Sequence, residues 1–237
     1  MRLFLSDLHL EEPDSPAFLT FADLLRRESA SAESIHLLGD ITEVWIGDDD
    51  DGPLASSLKE VLKEAAGRCR VTLMHGNRDF LFGQALAAET GVELISDPHL
   101  EEDGTLLSHG DGFCIDDEAY QQVRALFRSE AWQQDVLGQS LEARRELARN
   151  LRAQSQATNA NKAENIMDVA EREVDRVASS LGAKRMIHGH THRPGKHAHA
   201  WGNRYVLGAW ERCAWIARQP AAGEEPVLFC LPLLSRY

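Results

Sequence analysis

The sequence predicts an α/β protein with a helical insertion. Short apolar runs that end in polar clusters alternate with segments of helical apolar spacing, as in βαβ units. One long stretch, 119–181, breaks that alternation and has helical spacing throughout. After it the chain turns β-rich and closes on an antiparallel pair.

In order, Leu3–Leu5 reads as a first strand; its apolar run is too short for a secretory signal and no cleavage site follows it. Phe18, Phe21, Leu24 and Leu25 then give one helical face, and Leu58, Val61 and Leu62 another, with strands expected at Ile35–Leu38 and Val71–Met74 between and after them. Thr105–Leu107 and Met186–Ile187 are strands on either side of the insertion. Tyr120, Val123, Leu126 and Phe127, then Leu141, Leu147 and Leu151, carry the insertion's apolar spacing. Tyr205–Leu207 and Cys213–Ile216 are the last strands, with a turn expected at Gly202-Asn203.

At 237 residues the chain is expected to form one domain over 1–237, with 117–180 as a helical cap inserted in it. A formal net charge of −13 argues against nucleic acid as a partner, so an anionic ligand must be attracted locally. Four scattered cysteines without a CxxC pair fit neither a thiolate zinc site nor a disulfide framework, and reduced thiols are expected. No run approaches the eighteen or more apolar residues of a membrane-spanning helix.

Five motifs stand where strands are expected to end: Ser6-Asp7-Leu8-His9, Gly39-Asp40, Gly76-Asn77-Arg78-Asp79, Ser108-His109-Gly110-Asp111 and His188-Gly189-His190-Thr191-His192. Sites of open α/β sheets collect at the carboxyl ends of strands. The motifs supply oxygen and imidazole donors and no thiolate, which suits manganese, magnesium, iron or zinc, in numbers sufficient for two ions. Asp7 and His9, like His190 and His192, are spaced to share a face of extended backbone. Asp40, alone behind a glycine, is the natural carboxylate bridge between two ions roughly 4 Å apart. Asp48–Asp51 is set aside, because contiguous carboxylates repel and usually form a solvated loop. His36, His75, His99, His197 and His199 are taken as structural.

DxH, GD, GNRD, HGD and GHTH in this order resemble the calcineurin-like metallophosphoesterase family. The resemblance spans Asp7 to His192 and implies a four-layer α/β/β/α sandwich. It implies that Asp7, His9, Asp40 and His192 hold one metal, and Asp40, Asn77, His109 and His190 the other. The family's usual third motif is GNH[DE], whereas this chain has Arg78 in place of the histidine. A guanidinium does not release its proton at neutral pH, but its fork binds phosphate oxygens. Arg78, Asp40 and Asn77 are therefore the candidate catalytic residues.

Gly39 to Asp50, Asp116 to Gln121, Arg152 to Lys162, Ile166 to Val169 and Leu207 to Trp210 narrow the resemblance. They are similar to the members that hydrolyse the diphosphate of UDP-2,3-diacylglucosamine in lipid A synthesis. The likeness implies substrate contacts at Asn77, Arg78, Asp117, Ser155, Asn159, Lys162 and His190. It also implies two divalent metal ions, manganese expected, a lipid-linked UDP-sugar as partner, and a monomer working peripherally on the anionic cytoplasmic face of the inner membrane. Residues 119–162 carry seven basic side chains against four acidic ones. That pattern fits both a solvated helix surface with i, i+4 ion pairs and a basic cap leaning on lipid headgroups. The alternatives are a related phosphoesterase acting on soluble nucleotides or phosphodiesters, and a non-catalytic metal-binding scaffold of the same fold.

Overall fold

A computed structural model describes residues 1–159 and 168–235, apart from the side chains of 155–159. In chain order the elements are β1 (Arg2–Leu5), α1 (Pro16–Glu28), β2 (Ser34–Leu38), α2 (Pro53–Ala66), β3 (Arg70–Met74), α3 (Gln84–Thr90), β4 (Glu93–Ile95), β5 (His99–Leu100) and β6 (Thr105–Ser108). There follow α4 (Glu118–Phe127), α5 (Glu130–Leu137), α6 (Leu141–Asn159), α7 (Glu171–Leu181), β7 (Arg185–His188), β8 (Gly195–His199), β9 (Gly202–Val206), β10 (Cys213–Gln219) and β11 (Val227–Pro232). The strands form a six-stranded sheet, β11-β10-β1-β2-β3-β4, and a five-stranded sheet, β5-β6-β7-β9-β8. The centre of each is parallel: β1 to β4 in the first, β6, β7 and β9 in the second.

Strand alternation builds the layers. Leu3, Leu5, Ile35, Leu37, Val71 and Leu73 face α1, α2 and α3, where Phe21, Leu24, Leu58 and Leu62 bury against them. Phe4, Leu38 and Met74 point the other way and meet Leu107, Ile187 and Tyr205 of the second sheet. Leu106 and Met186 on that sheet's far face pack on Val174 and Ala178 of α7. The result is the expected α/β/β/α order. Each fully buried Leu or Phe in these layers contributes about 1.5–3 kcal/mol. Local signals agree with the layers: Ser15 caps α1 by accepting the Phe18 N–H at 3.2 Å with Pro16 opening the helix, and Gly182, in the left-handed region at φ 67°, ends α7.

Within the stretch expected as a cap, 117–180, α7 follows α4, α5 and α6 and packs on the second sheet, whose parallel strands β6 and β7 it lies between in the chain. The turn expected at Gly202-Asn203 falls two residues earlier, at Ala200-Trp201, and Gly202 and Asn203 open β9. Two cysteines expected as thiols, Cys213 and Cys230, are joined in a disulfide across the antiparallel β10–β11 pair, a proximity that a sequence separation of 17 conceals. Cys69 and Cys114 keep their thiols, outside any disulfide.

Candidate metal centre

All five motifs lie just beyond the carboxyl ends of β1, β2, β3, β6 and β7, and the loops lace together there. Asp7 N–H donates to Gly39 C=O at 3.2 Å, His9 N–H to Asp40 C=O at 3.0 Å, and Gly189 N–H to His109 C=O at 2.9 Å. The spacing of two does not work through extended backbone, as the sequence suggested. Among the described residues, the non-glycine positions with positive φ are Asp7 (56°), His9 (48°), Asp40 (52°), His190 (69°) and His192 (55°). Each such left-handed residue costs about 1–3 kcal/mol, and here all of them are candidate ligands. The neighbouring glycines are sterically required. A Cβ on Gly76 would strike the Asp40 backbone nitrogen and carboxylate, and one on Gly189 would strike Ser6 and Asp7.

The seven expected ligands form one continuous chain of polar atoms. His192 Nε2 lies 3.5 Å from Asp7 Oδ1 and 3.3 Å from His9 Nε2, which is 3.8 Å from Asp40 Oδ2. Asp40 Oδ1 is 3.6 Å from His109 Nε2, and Asn77 Oδ1 is 3.0 Å from His109 Nε2 and 2.9 Å from His190 Nδ1. Two triads bring their donor atoms within 4.8 Å of one another, Asp7-His9-His192 and Asp7-Asp40-His109, so Asp7 stands in both. Asp7, Asp40 and His109 are buried and His9 and His192 line the opening.

The donor set fits a cation. Two imidazole nitrogens facing each other, as His9 Nε2 and His192 Nε2 do, need a proton or a metal between their lone pairs. The field has the right sign: burial alone would lower the His109 pKa, yet Asp40, Asp111, Asp7 and Asp97 raise it to about 9. Burial also opposes ionisation of Asp7, but a hydrogen bond with His192 and the nearby histidines hold its carboxyl well below the usual range. His190 goes the other way, down to about 4, through burial and the proximity of His109.

Among the expected substrate contacts, Asn77, Arg78, Asp117 and His190 line the opening with His9, Asp40 and His192. Asp117 also caps α4, its Oδ1 accepting the Tyr120 N–H at 3.1 Å. The side chains of Ser155 and Asn159, on α6, and the whole of Lys162 lie outside the described residues. Beside the metal loops, α4, α5 and α6 enclose an apolar cavity of about 490 Å³ whose walls include Trp45, Phe80, Phe127, Trp132, Leu147 and Leu151. Asn77, Arg78 and Tyr120 line both this cavity and the metal opening.

Several residues at the centre were missed in the sequence. The Tyr120 hydroxyl and the Arg124 Nε–H donate to Asp111 Oδ2 at 2.9 and 2.8 Å, tying α4 to the loop that carries His109. The HGD motif was the available signal for Asp111. Asp48–Asp51 is solvated only in part: Asp49 and Asp51 are exposed, yet Asp48 accepts from Trp45 Nε1 and the Gly83 and Leu86 N–H groups, Asp49 pairs with Arg144, and Asp50 and Asp51 pair with Arg145. Three arginine-bonded aspartates thus tie this loop to α6.

Fold and donor set together give a two-sheet α/β/β/α protein with a candidate cation site at the carboxyl ends of its strands. An archaeal phosphodiesterase of known structure shares the fold, at a TM-score of 0.51 and 13% identity over 97% of this chain and 99% of that one. No known family model matches the chain. The chain belongs to the UDP-2,3-diacylglucosamine hydrolase family. It is similar to proteins of that name from Cellvibrio japonicus (44% identity, 93% of this chain and 95% of the relative), Hahella chejuensis (43%, 93% and 94%) and Pseudomonas aeruginosa (41%, 97% and 99%).

Proposed function

We propose that this chain hydrolyses the diphosphate bond of UDP-2,3-diacylglucosamine to UMP and 2,3-diacylglucosamine 1-phosphate, with two divalent metal ions, manganese being the expected one. The observation that carries this reading is the shared wall of Asn77, Arg78 and Tyr120 between the metal opening and the apolar cavity. A substrate with a diphosphate at one end and acyl chains at the other meets both chemistries at once.

When bound, divalent ions supply Lewis acidity to phosphoryl oxygens and activate the attacking water. Asp7, His9, Asp40 and His192 would hold one ion, and Asp40, Asn77, His109 and His190 the other. Asn77 turns Oδ1 to His109 and His190, which leaves its NH₂ to donate to a phosphoryl oxygen. Arg78 is placed for the charge that builds on the diphosphate: its backbone N–H is fixed on Asp40 Oδ1 at 2.9 Å, and its buried Nε has no hydrogen-bond partner among the described residues. Asp117, Ser155, Asn159, Lys162 and His190 complete the substrate contacts in this reading. α4, α5 and α6 act as a cap on a single domain, and the acyl chains occupy the cavity beneath them.

No helix among the described residues is long and apolar enough to cross a membrane. Exposed Val123, Leu126 and Leu137 on α4 and α5, with the insertion's excess of arginines, support peripheral attachment to an anionic inner-membrane surface on its cytoplasmic side, by a monomer. The test is an assay of UDP-2,3-diacylglucosamine against a UDP-sugar without acyl chains, before and after dialysis against chelator and with manganese restored. Metal-dependent release of UMP from the acylated substrate alone is expected. Equal turnover of both substrates would favour a soluble-nucleotide phosphoesterase, and no turnover of either with metal bound would favour a scaffold.

A further inference from the structure

We propose that Glu43 is a positioning residue for the metal centre, fixing the His9 imidazole from behind and holding, with the same carboxylate, Arg78 at the opening and Arg152 at the adjoining cavity wall. The inference rests on the ligand role given to His9 above. Glu43 lies three residues past Asp40, and its N–H donates to Leu10 C=O at 3.0 Å, beside the Leu10–Thr42 bridge that joins the two ligand loops. The carboxylate is only 12% exposed. Its Oε2 is 2.8 Å from His9 Nδ1, and its Oε1 is 3.3 Å from Arg152 Nε on α6 and 3.7 Å from Arg78 Nη1.

A carboxylate accepts and never donates when ionised, so His9 Nδ1 must carry the proton of that bond and Nε2 must be the bare nitrogen. Nε2 is the atom aimed at His192 and Asp40. A carboxylate behind a ligating histidine fixes both ring orientation and tautomer. His109 solves the same problem differently, with Nδ1 on the Leu38 carbonyl oxygen at 2.9 Å and Nε2 toward Asn77. The second oxygen of Glu43 places Arg78, where an entering diphosphate can draw on it, and Arg152, from a separate part of the chain.

The test compares equilibrium Mn²⁺ binding by titration calorimetry in the unaltered protein, Glu43→Ala, Glu43→Gln and His9→Ala, each checked for folding by its thermal transition. Glu43→Ala is expected to weaken one of two Mn²⁺ sites by about 10- to 100-fold. Glu43→Gln, whose amide oxygen can still accept from Nδ1, should recover most of that affinity while raising KM through loss of the charge that holds the arginines. If His9→Ala weakens Mn²⁺ binding and a folded Glu43→Ala does not, the positioning role is overturned. If His9→Ala leaves binding unchanged, the ligand reading itself is wrong. Nitrogen chemical shifts of the His9 ring in the Mg²⁺-loaded protein give a second check that needs no variant: protonated Nε2 with bare Nδ1 would also overturn the proposal.

Discussion

Asp79 holds the backbone of Asp40 in place from a fully buried position. Its Oδ1 accepts the N–H groups of Asp40 at 3.2 Å and Gly76 at 2.8 Å, while Oδ2 accepts those of Ile41 at 2.6 Å and Thr42 at 3.3 Å. Burial and the neighbouring charge of Asp40 push its pKa upward, so the bonds are made against a desolvation cost. Asp79→Ala would strand these donors in the interior, and a loss of about 3–4 kcal/mol in urea unfolding is expected. Asp79→Asn, which keeps one acceptor oxygen, should lose about half as much. A Mn²⁺ affinity that drops in step with stability would show the turn at Asp40 relaxing; a stability loss under 1 kcal/mol for Asp79→Ala would count against this account.

His36 makes acid sensitivity of the fold a specific expectation. It is buried between the sheets, stacked on Phe4 at 4.9 Å, with Nδ1 2.9 Å from Thr72 Oγ1 and Nε2 2.8 Å from Ser34 Oγ. Burial, then the charges of Arg2 and Arg70, push its pKa down to about 3. Between about 6.5 and about 3 the unfolded chain binds a proton there that the folded chain refuses. Its share of stability is therefore full above about 6.5 and is lost as pH falls, by about 1.4 kcal/mol per unit. Urea titrations of the parent and His36→Gln from pH 7 to pH 4 should converge as pH drops; a constant gap would refute the assignment.

Arg144 is the anchor of the insertion. Only 4% exposed, it spans Asp49 with Nη1 at 2.7 Å and Nη2 at 2.5 Å, and Nη1 also reaches the Ile46 carbonyl oxygen at 2.7 Å. Lysine has the charge but not the fork. In Arg144→Lys the α6 amides near residue 148 should exchange hydrogen roughly tenfold faster, with those of α1 and α2 unchanged. Uniform acceleration across the chain would instead indicate global destabilisation.

The strands and helices were legible because apolar runs and helical spacing are local, and every motif was placed at a strand end for the same reason. The order of layers came instead from the resemblance that the motifs carry. What was hidden depends on distant residues. The left-handed backbone at Asp7 and His190 exists because their two loops interlock through hydrogen bonds 183 residues apart. Glu43 meets His9 across 34 residues and Asp49 meets Arg144 across 95, so the acidic run looked merely solvated until its partners arrived. α7 carried the insertion's helical spacing but serves the second sheet, a difference that only its contacts with Leu106 and Met186 reveal.

The cavity beneath α4, α5 and α6 should set acyl-chain length. Phe80, Phe127 and Trp132 stack at its wall with ring centroids 4.6–5.8 Å apart, a rigid surface that does not yield easily to a longer chain. Leu151 lines the same space from α6, where the helix is half-exposed and a larger side chain has room to be accommodated. Leu151→Trp would take volume from the cavity without touching the metal loops. Each methylene denied burial costs about 0.8 kcal/mol, so excluding two or three should lower kcat/KM for a long-chain diacyl substrate by roughly 15- to 60-fold. A short-chain diacyl substrate, whose methylenes still fit, should be turned over within about threefold of the parent. Equal losses on both substrates would mean that the variant disturbs the cap or the centre, and that the acyl chains lie elsewhere.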